Sequence, residues 1–224
     1  CTQRLCASRL PLSGNGSMQE RNFDKEAANW DTAPRRVKLA RDIVESIKAE
    51  VKLGSGMDIL DFGCGTGLVG MLLRPQARSL TCVDNSQGML DVLKSKVAQS
   101  WITGVTTQLL DVSKGGVLTG SYDCIVSAMA LHHIEDIAGV AGRFYKALRK
   151  GGCVCIADLE QEQGKFHEDH TGVFHQGFDR EQLSGIFAKA GFADIRFRRA
   201  AEVEKPSGKF QVFLMIGSKK NPRI

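Results

Sequence analysis

A doubly wound α/β sheet, mostly parallel and finished at one edge by an antiparallel hairpin, is what this 224-residue sequence predicts. Three observations predict it. Short apolar runs of strand type alternate with helical patterns from Ile59 onward. A glycine-rich turn, DILDFGCGTGLVG over Asp58 to Gly70, joins the first such run to the helix behind it. The last two apolar runs are separated by a Pro206-Ser207-Gly208 turn signal with no helix between, and strands joined so closely must be antiparallel.

The elements follow in order. Val37, Ala40, Val44, Ile47 and Val51 lie on one helical face, predicting a helix over 31–52 with Asp31 or Thr32 as its cap and Pro34 in its first turn. Ile59 to Phe62 reads as a strand, and Leu68 to Leu73 opens a helix stopped before Pro75. Leu80 to Val83, Val105 to Leu110 and Cys124 to Ser127 are further strands, with a helix over Met89 to Val97 after the first of them. A helix from Ile137 to Leu148 is expected to end at Lys150-Gly151-Gly152, ahead of a strand at Cys153 to Ala157. Asp179, with Gln182 three residues on, reads as a capping box for a helix ending at Gly191. Ile195 to Arg198 and Phe210 to Ile216 form the closing hairpin.

With 42% hydrophobic residues the chain fills one core, and a second full domain would be cramped. A single domain over 19–219 is expected, with a helical lid at 19–52 and a short tail at 220–224. Residues 1–18 carry Arg and Ser but no acid, and read as a disordered leader: a transit remnant or an extension ahead of Met18. The net charge of +5 is modest and its basic residues are dispersed, so no nucleic-acid partner is expected. Seven cysteines include no C-x-x-C pair and mostly sit in apolar runs, as reduced core residues of a cytoplasmic protein do. No apolar run approaches the ~20 residues that span a bilayer.

The glycine turn reads in two registers. Gly65, Gly67 and Gly70 make the G-x-G-x-x-G of a dinucleotide site, with Asp84 near the distance expected of a ribose-binding acid. That register implies an NAD(P)-dependent oxidoreductase. Gly63, Gly65 and Gly67 make G-x-G-x-G, and three features favour this second register. Asp61 directly precedes the glycines, where it repels a pyrophosphate and attracts an ammonium or sulfonium. Asp84 opens D-x-S-x-x-M-L, and Asp111 ends the third strand as a further acid at the crevice. The closing hairpin is foreign to the dinucleotide half-fold.

ILDFGCGTG, the acid at Asp84, LLDV, YDCIVSAMALHHI and LRKGGCVCIAD together resemble the class I S-adenosylmethionine-dependent methyltransferases, over roughly Phe23 to Lys219. FDKEAANWD and FHEDHTGVFHQGFDREQL are similar to the small-molecule branch that includes the ubiquinone and menaquinone biosynthesis enzymes. The resemblance implies a Rossmann-like, three-layer αβα fold with seven strands in the order 3-2-1-4-5-7-6, the last antiparallel. It implies S-adenosylmethionine as cofactor, S-adenosylhomocysteine as product and a small-molecule methyl acceptor. Carried onto this sequence, it places Gly63, Gly65 and Gly67, with Phe62, at the methionine part and Asp61 near its ammonium. Asp84 would hold the ribose, Asn85 and Met89 would flank the adenine, Asp111 would accept from its amino group beside Val112, and Ala128 would line the transfer channel. A non-catalytic protein that only binds the cofactor on this fold is the rival from outside enzymology.

Methyl transfer from a sulfonium needs alignment, and a general base only where the nucleophile arrives protonated. His133 and His132 are the candidate bases; the plainer reading has each imidazole satisfying backbone groups beside the sheet. His167, His170 and His175 share one segment, but their spacing matches no recognised zinc pattern, so no metal is expected there. His167 and His175 are placed instead with the acceptor or a lid, against the reading of 161–178 as a plain connection. Phe23 and Trp30 read either as an aromatic lid, with Trp30 over the cofactor, or as staples for the helix that follows.

Overall fold

The computed structural model describes residues 21–221, so the leader expected at 1–18 and the last residues of the tail lie outside the described residues. Helices α1 (Pro34–Glu50), α2 (Leu68–Leu73), α3 (Gln87–Gln99), α4 (Ile137–Ala147) and α5 (Arg180–Lys189) alternate with seven strands. These are β1 (Asp58–Phe62), β2 (Ser79–Asp84), β3 (Val105–Leu109), β4 (Tyr122–Ala128), β5 (Leu148–Leu159), β6 (Ala193–Lys205) and β7 (Gly208–Ser218).

The strands form one sheet in the order β3-β2-β1-β4-β5-β7-β6. β1 pairs in parallel with β2 and β4, β2 with β3, and β4 with β5, whereas β7 runs antiparallel to both β5 and β6. Strand alternation divides the core in two. Ile59, Cys124, Val126 and Cys155 face α1, α2 and α3, where Ile43, Ile47, Leu73 and Leu93 are buried. Leu60, Ile125, Val154 and Ile156 face α4 and α5, where Phe144 and Phe187 are buried. The expected three layers follow from that alternation.

Three local expectations are corrected. Neither Asp31 nor Thr32 caps α1: Ala33 is its N-cap and makes no side-chain bond. Residues 27–32 are already wound into a 3-10 turn, and Thr32 Oγ1 donates to the Asn29 carbonyl at 2.7 Å inside it. Lys150-Gly151-Gly152 is no helix stop, because β5 begins at Leu148 and Gly151 N donates to Lys219 O at 2.7 Å. The closing strands are also longer than their apolar runs, since ladder bonds continue through charged residues such as Glu202 and Glu204. Asp179 caps α5 as expected, accepting from Gln182 N at 2.9 Å.

Gly70 lies in α2 where that helix crosses β1. An added Cβ there would stand 2.6 Å from Asp61 Oδ2 and 3.2 Å from Leu80 Cδ2. Gly70→Ala should therefore cost about 1–3 kcal/mol of unfolding free energy by overpacking. A urea titration checks it; an unchanged midpoint would show that α2 backs away freely.

Among the described residues, Cys64, Cys82, Cys124, Cys153 and Cys155 are free, all buried except the half-buried Cys153. Among the described residues, no helix is long and apolar enough to cross a membrane.

Candidate functional site

The carboxyl ends of β1, β2, β4 and β5 meet the glycine turn on one edge of the sheet, where parallel strands leave a crevice. Gly63, Gly65 and Gly67 adopt φ of 68°, 53° and 82°, the left-handed region that favours glycine. An added Cβ at Gly65 would meet only Met89 Sδ, at 3.9 Å, so this part of the loop faces space that an incoming ligand can enter.

Two acids stand behind the loop. Asp61 is 1% exposed, and its Oδ2 accepts from Gly70 N at 2.9 Å, inside the first turn of α2. Burial raises its carboxyl to about 7; the Gly70 N–H opposes that rise and the Asp84 charge adds to it. Asp84 accepts from Gly65 N at 2.7 Å and from Ser86 N at 2.9 Å. Its carboxyl is also raised, by burial first, with the Ser86 and Gly65 N–H groups opposing. The two carboxyls thus bracket the glycine loop in a setting short of positive charge.

The N-terminal segment is strapped across this loop at two points. Asp24 Oδ1 accepts from Ser86 Oγ at 2.6 Å and from Gly88 N at 2.8 Å, at the start of α3. Asp31, free of the capping role, accepts from Thr66 Oγ1 at 2.5 Å and pairs with Lys96 at 2.6 Å. Beside the first strap the Phe23 ring meets Trp30 edge-on at 6.0 Å and His133 at 5.1 Å. The Arg36 guanidinium covers the Trp30 ring at 3.7 Å. Phe23 thus reaches His133, and Trp30 is held against the first turn of α1 by Arg36.

The loop after β4 forms a single 3-10 turn, Leu131–His133. His132 is 1% exposed, and its Nδ1 lies 2.6 Å from Oδ1 of the fully buried Asp158 at the end of β5. His133 Nδ1 lies 2.6 Å from the Gly172 carbonyl oxygen. Burial, aided by neighbouring His132, lowers the His133 ring to about 4, so it is neutral at physiological pH. The segment after β5 folds back over this turn, with Phe174 N and His175 N donating to the His132 carbonyl at 2.9 and 3.2 Å. That return brings the His167 ring to 5.0 Å from His132 and 5.6 Å from His133. His175 does not join them; its Nε2 bonds the Ile134 carbonyl at 2.9 Å.

Residues 59–152 match the family described as Methyltransferase domain, and that match covers the glycine loop, both acids and the paired histidines. Residues 59–152 carry a methyltransferase domain. An uncharacterized methyltransferase of Schizosaccharomyces pombe is 31% identical over 174 residues, which is 70% of this chain and 61% of that protein. The malonyl-[acyl-carrier protein] O-methyltransferase of Serratia marcescens is 25% identical over 68% of this chain and 58% of its own length. The chain thus spans about three-fifths of these curated relatives. Among solved structures, the 1,6-didemethyltoxoflavin-N1-methyltransferase of Burkholderia thailandensis superposes with a TM-score of 0.68 at 20% identity, over 89% of this chain and 86% of that one. That structure holds 1,6-didemethyltoxoflavin and S-adenosylhomocysteine.

Within this methyltransferase domain, Phe62 is buried under α4 against Phe144, with ring centroids 4.9 Å apart, so its backbone is what adjoins the loop. Asn85 follows Asp84 at the crevice, and Met89 is 2% exposed beside Gly65. Ala128 ends β4, and Val112, in the loop after β3, packs partly buried against the core on the α4 side. Asp111 is committed locally: it accepts from Ser113 N at 2.9 Å and pairs with Lys114 at 2.8 Å. Sequence reasoning missed Asp158 and Asp24 and assigned Asp31 to a cap. Asp158 carried a legible signal, an acid ending an apolar strand, the feature that singled out Asp61 and Asp84.

Proposed function

We propose that this protein is an S-adenosylmethionine-dependent methyltransferase acting on a small-molecule acceptor whose nucleophilic atom, an oxygen by preference, arrives protonated. The observation that carries the reading is the juxtaposition of two chemistries on one sheet edge. A glycine loop backed by two electron-rich carboxyls stands beside a patch of imidazoles in which His133 is neutral. The cofactor supplies an electrophilic methyl on a cationic sulfur, and the glycine backbone with Asp61 and Asp84 suits a cationic nucleoside better than a pyrophosphate. Asn85, Met89, Asp111, Val112 and Ala128 would line its adenine and transfer channel, as the family resemblance implies. Trp30 and Phe23 would close over it, held by the Asp24 and Asp31 straps.

The imidazoles serve the acceptor side. His133 Nδ1 faces a carbonyl, which only accepts, so Nδ1 carries the proton and Nε2 keeps a lone pair. His132 is oriented the same way by Asp158, and either ring would draw a proton from an acceptor hydroxyl. The free buried cysteines support a reducing compartment such as the cytoplasm. The oxygen preference is supported by the O-methyltransferase relative, and the small-molecule class by the toxoflavin enzyme that shares the fold.

Calorimetry with S-adenosylmethionine, S-adenosylhomocysteine and NAD tests the cofactor. Micromolar binding of the first two without NAD is expected; binding of NAD alone would return the loop to the dinucleotide register. Transfer of a radiolabelled methyl group into a cell extract then separates an enzyme from a binder. His133→Ala should lower that transfer about 10²- to 10⁴-fold while leaving S-adenosylmethionine affinity within a factor of three or so.

A further inference from the structure

The histidine patch holds more than two bases. One nitrogen from each of His132, His133 and His167 lies within 4.8 Å of the other two. Two of the rings have an oriented far side: His132 Nδ1 against the Asp158 carboxylate and His133 Nδ1 against the Gly172 carbonyl, both at 2.6 Å. With Nδ1–H donated outward, an imidazole that ligates a cation does so through its Nε2 lone pair. His167 Nε2 is buried and has no hydrogen-bond partner. Buried polar nitrogens are nearly always satisfied. A proton satisfies one such nitrogen; a metal cation satisfies all three.

From this geometry we infer that His132, His133 and His167 form a three-imidazole site for a borderline divalent transition metal, with zinc as the reference ion and one coordination position left open. The pattern of an outward N–H on a carboxylate or a backbone carbonyl is the arrangement that fixes metal-ligating histidines and raises their basicity. Three neutral nitrogen ligands with an open position suit zinc, nickel, iron or cobalt and disfavour magnesium or calcium, which take oxygen. Ligands about 2.1 Å from a tetrahedral ion stand about 3.4 Å apart, so the cluster has to tighten by at most ~1.4 Å. His167 is the ring free to supply that movement, because it sits on irregular chain after β5 and no hydrogen bond holds its Nε2.

The site deepens the methyl-transfer reading and rests on it for its chemical use. An acceptor hydroxyl bound at the open position would lose its proton to solvent water, the O–H electron pair staying on oxygen, at a pH several units below that of the free hydroxyl. The cation thereby does for the acceptor what either imidazole alone would do less completely.

A second cluster, Cys124, Cys153 and Cys155, also offers metal ligands and must be separated from this one in any test. The full-length chain is stripped with chelator and dialysed against zinc, and bound metal is counted by plasma emission. One equivalent is expected, falling at least ~10-fold in affinity in His167→Ala and in Asp158→Asn, and unchanged in Cys155→Ala. Cobalt in place of zinc should give an absorption spectrum without a thiolate charge-transfer band. No metal in the wild-type chain, or metal kept in His167→Ala but lost in Cys155→Ala, overturns the proposal. S-adenosylmethionine calorimetry on the same samples keeps the two readings apart. Cofactor binding and full methyl transfer by the stripped chain would remove the metal and leave the enzyme, whereas metal binding without cofactor binding would do the reverse.

Discussion

Asp158→Ala is expected to lower the unfolding free energy by about 3–5 kcal/mol and to abolish methyl transfer, the largest paired effect of any single change in the site. Asp158 is fully buried. Its carboxylate meets His132 Nδ1 at 2.6 Å, His132 N at 3.3 Å and Leu159 N at 2.8 Å. Burial alone would raise the carboxyl, but its contact and hydrogen bond with His132 and the Leu159 N–H together bring it below the usual range. Alanine leaves an imidazole N–H and two backbone N–H groups without an acceptor in a dry interior, which is where the cost arises. It also frees the His132 ring to turn, so activity falls through lost orientation. Asp158→Asn keeps the shape and one acceptor oxygen, and should recover most of the stability but little of the activity. Urea denaturation of both variants, read beside methyl-transfer rates, checks this. Alanine within 1 kcal/mol or so of wild type would mean that Asp158 is not holding the histidine turn.

Asp61 should make cofactor affinity depend on pH. Its folded carboxyl sits at about 7 against 3.8 for the ordinary group, because burial disfavours the charged form. The sign follows from linkage. A raised carboxyl contributes stability that is full below pH 3.8 and is lost as pH rises through 7, so the unliganded chain should be less stable at pH 8 than at pH 6. A bound ammonium or sulfonium compensates the exposed cost of the ionised form, so S-adenosylmethionine should bind about tenfold more tightly at pH 8 than at pH 6. Asp61→Asn removes the titration and keeps an oxygen for Gly70 N. It should flatten both profiles, weaken S-adenosylmethionine about 10-fold or more at pH 8, and leave the free protein as stable as wild type or more so. Calorimetry and thermal melts at the two pH values read this out. An affinity that is pH-independent and equal in the asparagine variant would reduce Asp61 to a cap for α2.

The two residues also show where sequence reading stops. Asp61 was legible because chemistry and position coincide in one short stretch: an acid at a strand end, directly before glycines. Its contact with Gly70 was half legible, since a glycine inside a helix signals close approach, yet the partner at 2.9 Å is visible only in the fold. Asp31 was misread as a cap because Asp followed by Thr, Ala and Pro is a helix-start signal, and only the docking of the segment on Thr66 and Lys96 outcompetes it.

The sequence by itself determined the strand-helix alternation, the glycine turn with its acids and the antiparallel closing hairpin. Each is encoded by neighbours in the chain, where side-chain period and turn chemistry act over a few residues. The tertiary structure alone decided that His167, and not His170 or His175, joins His132 and His133, and that Asp158 stands behind them. Those groups are up to 35 positions apart, and their meeting depends on an irregular segment returning over β4 through backbone bonds to the His132 carbonyl. No local period records such a return, because its side chains answer to contacts across the sheet edge and not to their neighbours in sequence.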